Sequence, residues 1–302
     1  MIDRVSKIAE DIGEKTIACR RDVHKHAESA WCEFRTASLV ARQLTDLGFE
    51  VRAGRQVISE EDRMGLPSPD VLERRWKRAR DQGGDPEFLK AVRGGFTGVV
   101  GTLRCGSGPT VGLRFDMDAN DLTESHSPDH RPFREGFASV NEEAMHSCGH
   151  DGHVAVGLAV AAVLVALKDH LHGTVKLIFQ PAEEGVRGAK SMVTAGVVDD
   201  VDYLLGSHLH GGWELNAIDP GRSGFLATSK FDASFAGSPA HAGSRPNEGN
   251  NALLAAATAV LNLNAIPRHR DGVTRVNVGR LKAGTGRNVI CSDAHLVIET
   301  RG

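Results

Sequence analysis

Four short runs constrain the fold of this chain more than any other feature: GVVGTL (98–103), TVGLRF (110–115), TVKLIFQ (174–180) and VDYLLGS (201–207). Rich in β-branched residues and bounded mostly by glycine, proline or charge, they read as strands. Between the second and third lies Val154 to Leu167, a run of 14 apolar residues whose hydrophobicity on all sides marks a buried helix. A further helix is expected over 188–195, closed by Gly196. Strand, helix, strand, helix, strand is the order of an α/β fold with a mostly parallel sheet.

Sheets of this kind gather their functional groups beyond the C-terminal ends of the strands. Asp116 and Asp118 follow the second strand, Glu183 and Glu184 follow the third, and His208 follows the fourth. The segment MHSCGHDGH (145–153) adds Cys148 and His150 on either side of Gly149. Residues two apart cannot share a face of a regular helix, but a turn through glycine lets them converge. On these nine residues alone, a polar turn around a buried cysteine would look the same. Cys148, His150, Glu184 and His208 make a mixed sulfur, nitrogen and oxygen set that suits zinc, manganese or cobalt, with the thiolate favouring zinc.

Glu183, adjacent to one of these ligands, is the candidate general base, able to take a proton from a water that a cation has acidified. A solvated loop carboxylate is the alternative. Asp116 could orient a ligand imidazole or simply cap its strand. His24 and His26 lie beside helices, where histidines more often pack than ligate. His241, in GSPAHAG, lies outside any apolar period. Asn288 and Arg301 pair an amide with a guanidinium, a combination able to clamp a carboxylate, and Arg187 is a further anion contact.

At 302 residues the chain exceeds a single core, so a large domain with a smaller companion is expected. Residues 3–47 read as helical up to Gly48. The charged stretch 52–95, with a helix from Pro69 to Arg80, reads as an insertion that caps or rims the site. After Pro220 the texture changes to SKFDASFAG, a helix from Asn250 to Asn264, TRVNVGRL and AHLVIET, the pattern of a small α+β domain. The expected domains are 1–221 and 222–302.

A net charge of -3 without a long basic run gives no support for nucleic-acid or anionic-membrane partners and favours a small-molecule substrate. Five cysteines, an odd number without a CxxC pair, suit a reducing compartment. The N-terminus has no apolar h-region and the longest apolar run is too short to span a bilayer, so the expected location is the cytoplasm. GxxxxGK[ST], GxSxG and GxGxxG after a strand are absent. A single-zinc deaminase would need a second cysteine pair that this chain lacks.

RRDVHKHAESAWCEFRTASLVARQL, RFDMDA, MHSCGHDGH, IFQPAEEGVRGAKSMV, GSHLH and GSPAHAG together resemble the aminoacylase, hippurate hydrolase and indole-acetyl-amino-acid hydrolase family of dinuclear metal amidohydrolases. The resemblance runs from about residue 18 to the last residue. It implies a zinc-peptidase-like catalytic domain with an inserted lid and dimerisation domain, and two divalent ions, zinc or manganese. Cys148 would join the two metals, with His150, Glu184 and His208 as ligands, Glu183 as base and Asp116 as supporting aspartate. By the same resemblance, His241 is the lid histidine that reaches a neighbouring subunit's site, and Asn288 and Arg301 hold the substrate's carboxylate.

The implied substrate is an N-acyl amino acid. FRTASLVA, RMGLP, GGFTGVV and HRPFREGFAS point within the family to p-aminobenzoyl-glutamate, cleaved to p-aminobenzoate and glutamate. A homodimer or a hetero-oligomer with a related subunit is implied. Family members continue past the lid to a last metal-binding histidine, whereas this chain stops at Gly302. The catalytic domain is therefore expected to lack its C-terminal part. The alternative function is a catalytically incomplete metal-binding or dimerisation partner. Cys291, where related lids often carry proline, reads as structural.

Overall fold

The computed structural model describes residues 1–212, 214–221 and 224–302. Contacts divide the chain into two compact units, with the division between residues 213 and 214. The boundary expected at 221/222 involves Arg222, which lies outside the described residues.

The first unit begins with three helices, α1 (Ile2–Asp11), α2 (Gly13–Lys25) and α3 (Phe34–Asp46), where the sequence read as one helical stretch. The break at 26–33 carries buried Glu28 and Glu33, and its backbone is committed to other partners. Glu28 caps α3 by accepting the N–H groups of Arg35 and Thr36 at 2.9 Å each, so the first turn's orphan donors are satisfied by a carboxylate. Phe34, Ala37, Val40, Ala41 and Leu44 are buried at helical spacing along α3. Each large member contributes roughly 2 kcal/mol by leaving water.

Next come β1 (Glu50–Ala53), α4 (Pro69–Asp81) and α5 (Phe88–Val92). Leu72 and Ala79 of α4 and Leu89 and Val92 of α5 belong to the same core cluster as α3. Residues 52–95 thus build the core as well as surface. The sheet continues with β2 (Val99–Arg104) and β3 (Thr110–Asp116). After the short helix α6 (Arg131–Arg134) come α7 (His150–Ala166), β4 (Thr174–Gln180), α8 (Ala189–Thr194) and β5 (Tyr203–Gly206).

The strands are ordered β1-β2-β4-β3-β5. β3 is parallel to both β4 and β5, whereas β2 is antiparallel to β1 and β4. One strand is therefore reversed in an otherwise parallel α/β sheet. Helix α7 lies close against β3 and β4, and Gly157 permits it: a Cβ there would sit 2.8 Å from Phe179 and 2.9 Å from Phe115. Asp116 pairs in register with Gln180, so the chain beyond β3 and the chain beyond β4 leave the sheet side by side.

The second unit contains β6 (Thr228–Ala236), α9 (Ala252–Asn264), β7 (Arg275–Ala283) and β8 (Asp293–Arg301). The strands form an antiparallel sheet in the order β6-β8-β7. Ala294, Leu296 and Ile298 alternate inward along β8 and pack with Ala252 and Ala256 of α9. The Asn251 side chain caps α9 by accepting the N–H groups of Leu253 and Leu254. Cys291 is buried in this core, in keeping with a structural role. All five cysteines are unpaired, and no helix among the described residues is long and apolar enough to cross a membrane.

Candidate metal centre

Gly149, at φ +94°, forms the turn that the sequence required, and His150 opens α7 directly after it. His150 is fully buried, and its Nδ1 donates to the Asp118 carbonyl at 2.8 Å. That bond leaves the Nε2 lone pair without a hydrogen-bond partner in a buried position, 3.7 Å from both a Glu183 oxygen and an Asp116 oxygen. An orphaned, buried imidazole nitrogen facing carboxylates is the arrangement a cation completes.

His208 is set up in the same way on the exposed side. Its Nδ1 donates to the Leu209 carbonyl at 2.6 Å, and its Nε2 lies 3.4 Å from the Cys148 sulfur. Donor atoms of Cys148, His150 and His208 lie within 4.8 Å of one another, and so do those of His150, Glu183 and Glu184. His150 is common to both groups. The structure thus brings together all four sequence-derived ligands and the candidate base.

A third cluster, Asp116, His150 and His153, meets the same distance criterion. His153 is already spent, however: its Nδ1 donates to Asp116 and its Nε2 accepts the Leu209 N–H at 2.8 Å. With both nitrogens engaged it has no lone pair for a metal, and its place is to hold Asp116 and the His208 segment.

The electrostatics also favour a cation. Burial, then the negative charge of Glu184, pushes the Cys148 thiol up to about 12. Burial disfavours a charged His150, yet its hydrogen bond to Asp118 and the charges of Asp116, Asp118 and Glu183 outweigh that and raise it to about 9. Burial raises Glu183, with Asp116 and Glu184 adding to the rise against His150 and Arg114. A pocket that resists further negative charge and stabilises positive charge binds either protons or a metal ion.

Asp116 contacts Arg114 at 2.7 Å and is hydrogen-bonded to His153. The supporting role read into Asp116 falls more directly on Asp118, whose two carboxylate oxygens accept the N–H groups of Glu183 and Glu184 at 2.9 Å each. Arg187 donates to the Glu184 carbonyl at 2.7 Å, which ties it to the loop. His24 donates from both nitrogens, to Asp151 at 2.8 Å and Glu124 at 3.0 Å, and so cannot ligate. His26 donates to the Asp22 carbonyl at 2.9 Å.

In the second unit, the exposed His241 accepts the N–H groups of Gly243 and Ser244 on Nδ1, at 3.1 and 3.2 Å. The neutral ring then carries its proton on Nε2. His241 is bridged to Val289, and the adjacent Asn288 carbonyl accepts the N–H of Ala242 at 3.0 Å, so His241 and Asn288 are neighbours. Arg301 closes β8 and pairs with Glu299.

The sequence reading missed the tasks of His153, Asp118 and Glu33. His153 had a signal, since it lies three residues after His150 on the same face of a helix. Asp118 and Glu33, the latter accepting the Ala182 N–H, act on backbone N–H groups, which leave no trace in side-chain spacing.

Thiol, imidazole and carboxylate donors gathered beyond the strand ends, with a spare half-buried carboxylate beside them, make the donor set of a metal-dependent hydrolase. Residues 112–297 match the model of peptidase family M20/M25/M40. The chain is 51% identical over 302 residues to one of the subunits of the p-aminobenzoyl-glutamate hydrolase of Escherichia coli (strain K12), covering all of this chain and 69% of that protein. It is 55% identical over 284 residues to indole-3-acetyl-aspartic acid hydrolase of Enterobacter agglomerans, covering 94% of this chain and 65% of that protein. The crystal structure of an aminobenzoyl-glutamate utilization protein from Klebsiella pneumoniae superposes with a TM-score of 0.80 at 47% identity, over 99% of this chain and 69% of that one. The chain belongs to peptidase family M20/M25/M40 and spans about two thirds of the length of these relatives.

Proposed function

We propose that this chain hydrolyses the amide bond between an aromatic acyl group and an acidic amino acid, with p-aminobenzoyl-glutamate as the favoured substrate and p-aminobenzoate and glutamate as products. The observation that carries the reading is the half-buried Glu183 carboxylate, 3.7 Å from the unpartnered nitrogen of a buried histidine that two donor groups share. The two relatives above are named for an aromatic acyl group joined to glutamate or to aspartate.

Cys148, His150, Glu184 and His208 would hold two divalent ions, zinc or manganese, whose chemistry when bound is to acidify water and polarise the scissile carbonyl. Glu183 accepts the water's proton and returns it to the leaving amine; its raised pKa suits both halves of that transfer. Asp116 keeps His153 oriented. His241, supplied from a second copy or a related subunit, donates from Nε2 to the carbonyl oxygen. Asn288 and Arg301 hold a carboxylate of the substrate. Residues 1–221 serve as the catalytic domain and 222–302 as the lid and dimerisation domain. The unpaired cysteines suit a reducing cytoplasm.

The test is release of p-aminobenzoate from p-aminobenzoyl-glutamate, with zinc or manganese supplied and bound metal counted by elemental analysis. Indole-3-acetyl-aspartate and an N-acyl neutral amino acid serve as competitors. Turnover with preference for the acidic substrates supports the proposal. Bound metal without turnover on any of them contradicts it and favours the incomplete metal-binding partner.

A further inference from the structure

The loop that carries Glu183 and Glu184 adopts a conformation that its residues do not favour. Ala182 has φ +51°, Gly185 φ +79° and Val186 φ +58°. Left-handed backbone suits glycine, but for alanine and especially for a β-branched residue it costs roughly 1–3 kcal/mol each and persists only when the surroundings impose it. Two carboxylates hold the first half of the loop, and the Val186 N–H closes the turn on the Glu183 carbonyl at 2.7 Å. Asp118 accepts the N–H groups of Glu183 and Glu184, and Glu33 accepts the N–H of Ala182 at 2.8 Å. Three consecutive peptide N–H groups thus point into two buried acids.

We propose that Glu33 is a positioning residue for the hydrolysis described above, fixing the backbone at Ala182 and through it the place of the Glu183 carboxylate. Glu33 is fully buried at the start of α3 and is 149 residues from Ala182 in sequence, so the anchor joins a rigid helix to the reactive loop. Its second oxygen accepts the Thr97 hydroxyl at 2.5 Å, which fixes the rotamer. Ala182 is itself fully buried, so no water can replace the lost acceptor without a rearrangement. Burial, reinforced by the charge of Asp118, raises Glu33 to about 8, and the hydrogen bonds from Thr97 and Ala182 oppose that rise.

This inference rests on the proposed role of Glu183, and its test reads the anchor independently of turnover. Glu33→Gln keeps an oxygen for the Ala182 N–H, since the Thr97 hydroxyl can turn to accept from the new amide. Glu33→Asp keeps the acid and shortens the reach. In hydrogen-exchange mass spectrometry, Glu33→Asp is expected to speed exchange of the Ala182–Glu184 amides about tenfold or more while leaving β3 and β4 protected, and Glu33→Gln to match the parent. With p-aminobenzoyl-glutamate, Glu33→Asp is expected to lower kcat about 10- to 100-fold with KM changed less than about threefold, as loss of an outer support does.

Unchanged exchange in folded Glu33→Asp overturns the inference. If Glu33→Asp does not fold, Glu33→Met decides: faster exchange of the Ala182–Glu184 amides supports the anchor, and parent-like exchange in folded Glu33→Met overturns it. A parent chain without turnover defeats the proposed reaction, and the exchange result then still stands or falls for Glu33 alone.

Discussion

The candidate metal centre has a closed side and an open side, and the two are built by different means. On the closed side, His150 and Asp116 are fully buried, Asp118 and His153 nearly so, and each is committed to a protein partner. On the open side, Cys148 and Glu184 are half-buried and His208 is exposed, and the Cys148 sulfur lies 3.4 Å from the His208 Nε2. The closed side is preorganised by the fold, whereas the open side has its lone pairs aimed inward and needs a cation to tie it together.

If that contrast holds, losses on the two sides differ in size. His150→Ala removes the nitrogen that both donor groups share and should lower zinc affinity by about a thousandfold or more in a chelator-competition titration. Equal losses from His150→Ala and His208→Ala would erase the distinction. The next largest effect belongs to Asp118→Asn: one oxygen remains for two peptide N–H groups, and urea unfolding of the metal-free chain should show a loss of about 2–3 kcal/mol. Cys148→Ser and His208→Ala should weaken zinc about 10- to 100-fold. In the metal-free chain they should move the melting temperature little, since Cys148 is half-buried and His208 exposed.

The smallest effect concerns the buried trio of His24, Asp151 and Glu124. Burial opposes a charged His24, but its hydrogen bonds to Asp151 and Glu124 outweigh burial and raise its pKa above 6.5. A group whose pKa is raised on folding lends its full stability below its unfolded value and loses it as pH rises through the folded value. The stability gap between the parent and His24→Gln should therefore be widest below about pH 6.5 and narrow at higher pH, as read from urea midpoints across a pH series. A gap that widens with pH would contradict a protonated His24.

The contrast also explains what the sequence could reveal. Donors on the open side come from chain segments leaving the ends of parallel strands, and topology alone puts such ends on one edge, so Glu184 and His208 could be matched with Cys148 and His150. The strands themselves were legible because β-branched runs broken by glycine have few other uses. The closed side was less legible. Its holding groups, Asp118 and Glu33, act on backbone N–H groups up to 149 residues away, and a buried carboxylate carries no periodicity to find. For the same reason residues 26–33 read as part of a helical stretch: Glu28 and Glu33 are compatible with helix in isolation, and tertiary hydrogen bonds decide otherwise. Helix α4 was legible, by contrast, since Pro69 opens it and the spacing of its apolar residues is local.

The measurement that bears most directly on the central claim is p-aminobenzoyl-glutamate turnover by Glu183→Gln at full metal occupancy, with bound metal counted in the same sample. Metal stoichiometry equal to the parent's with kcat reduced by about a thousandfold or more is the expected result, since the substitution removes a proton carrier and leaves the ligands in place. Turnover within about tenfold of the parent, with metal retained, would contradict the assignment of Glu183 as the base of this site.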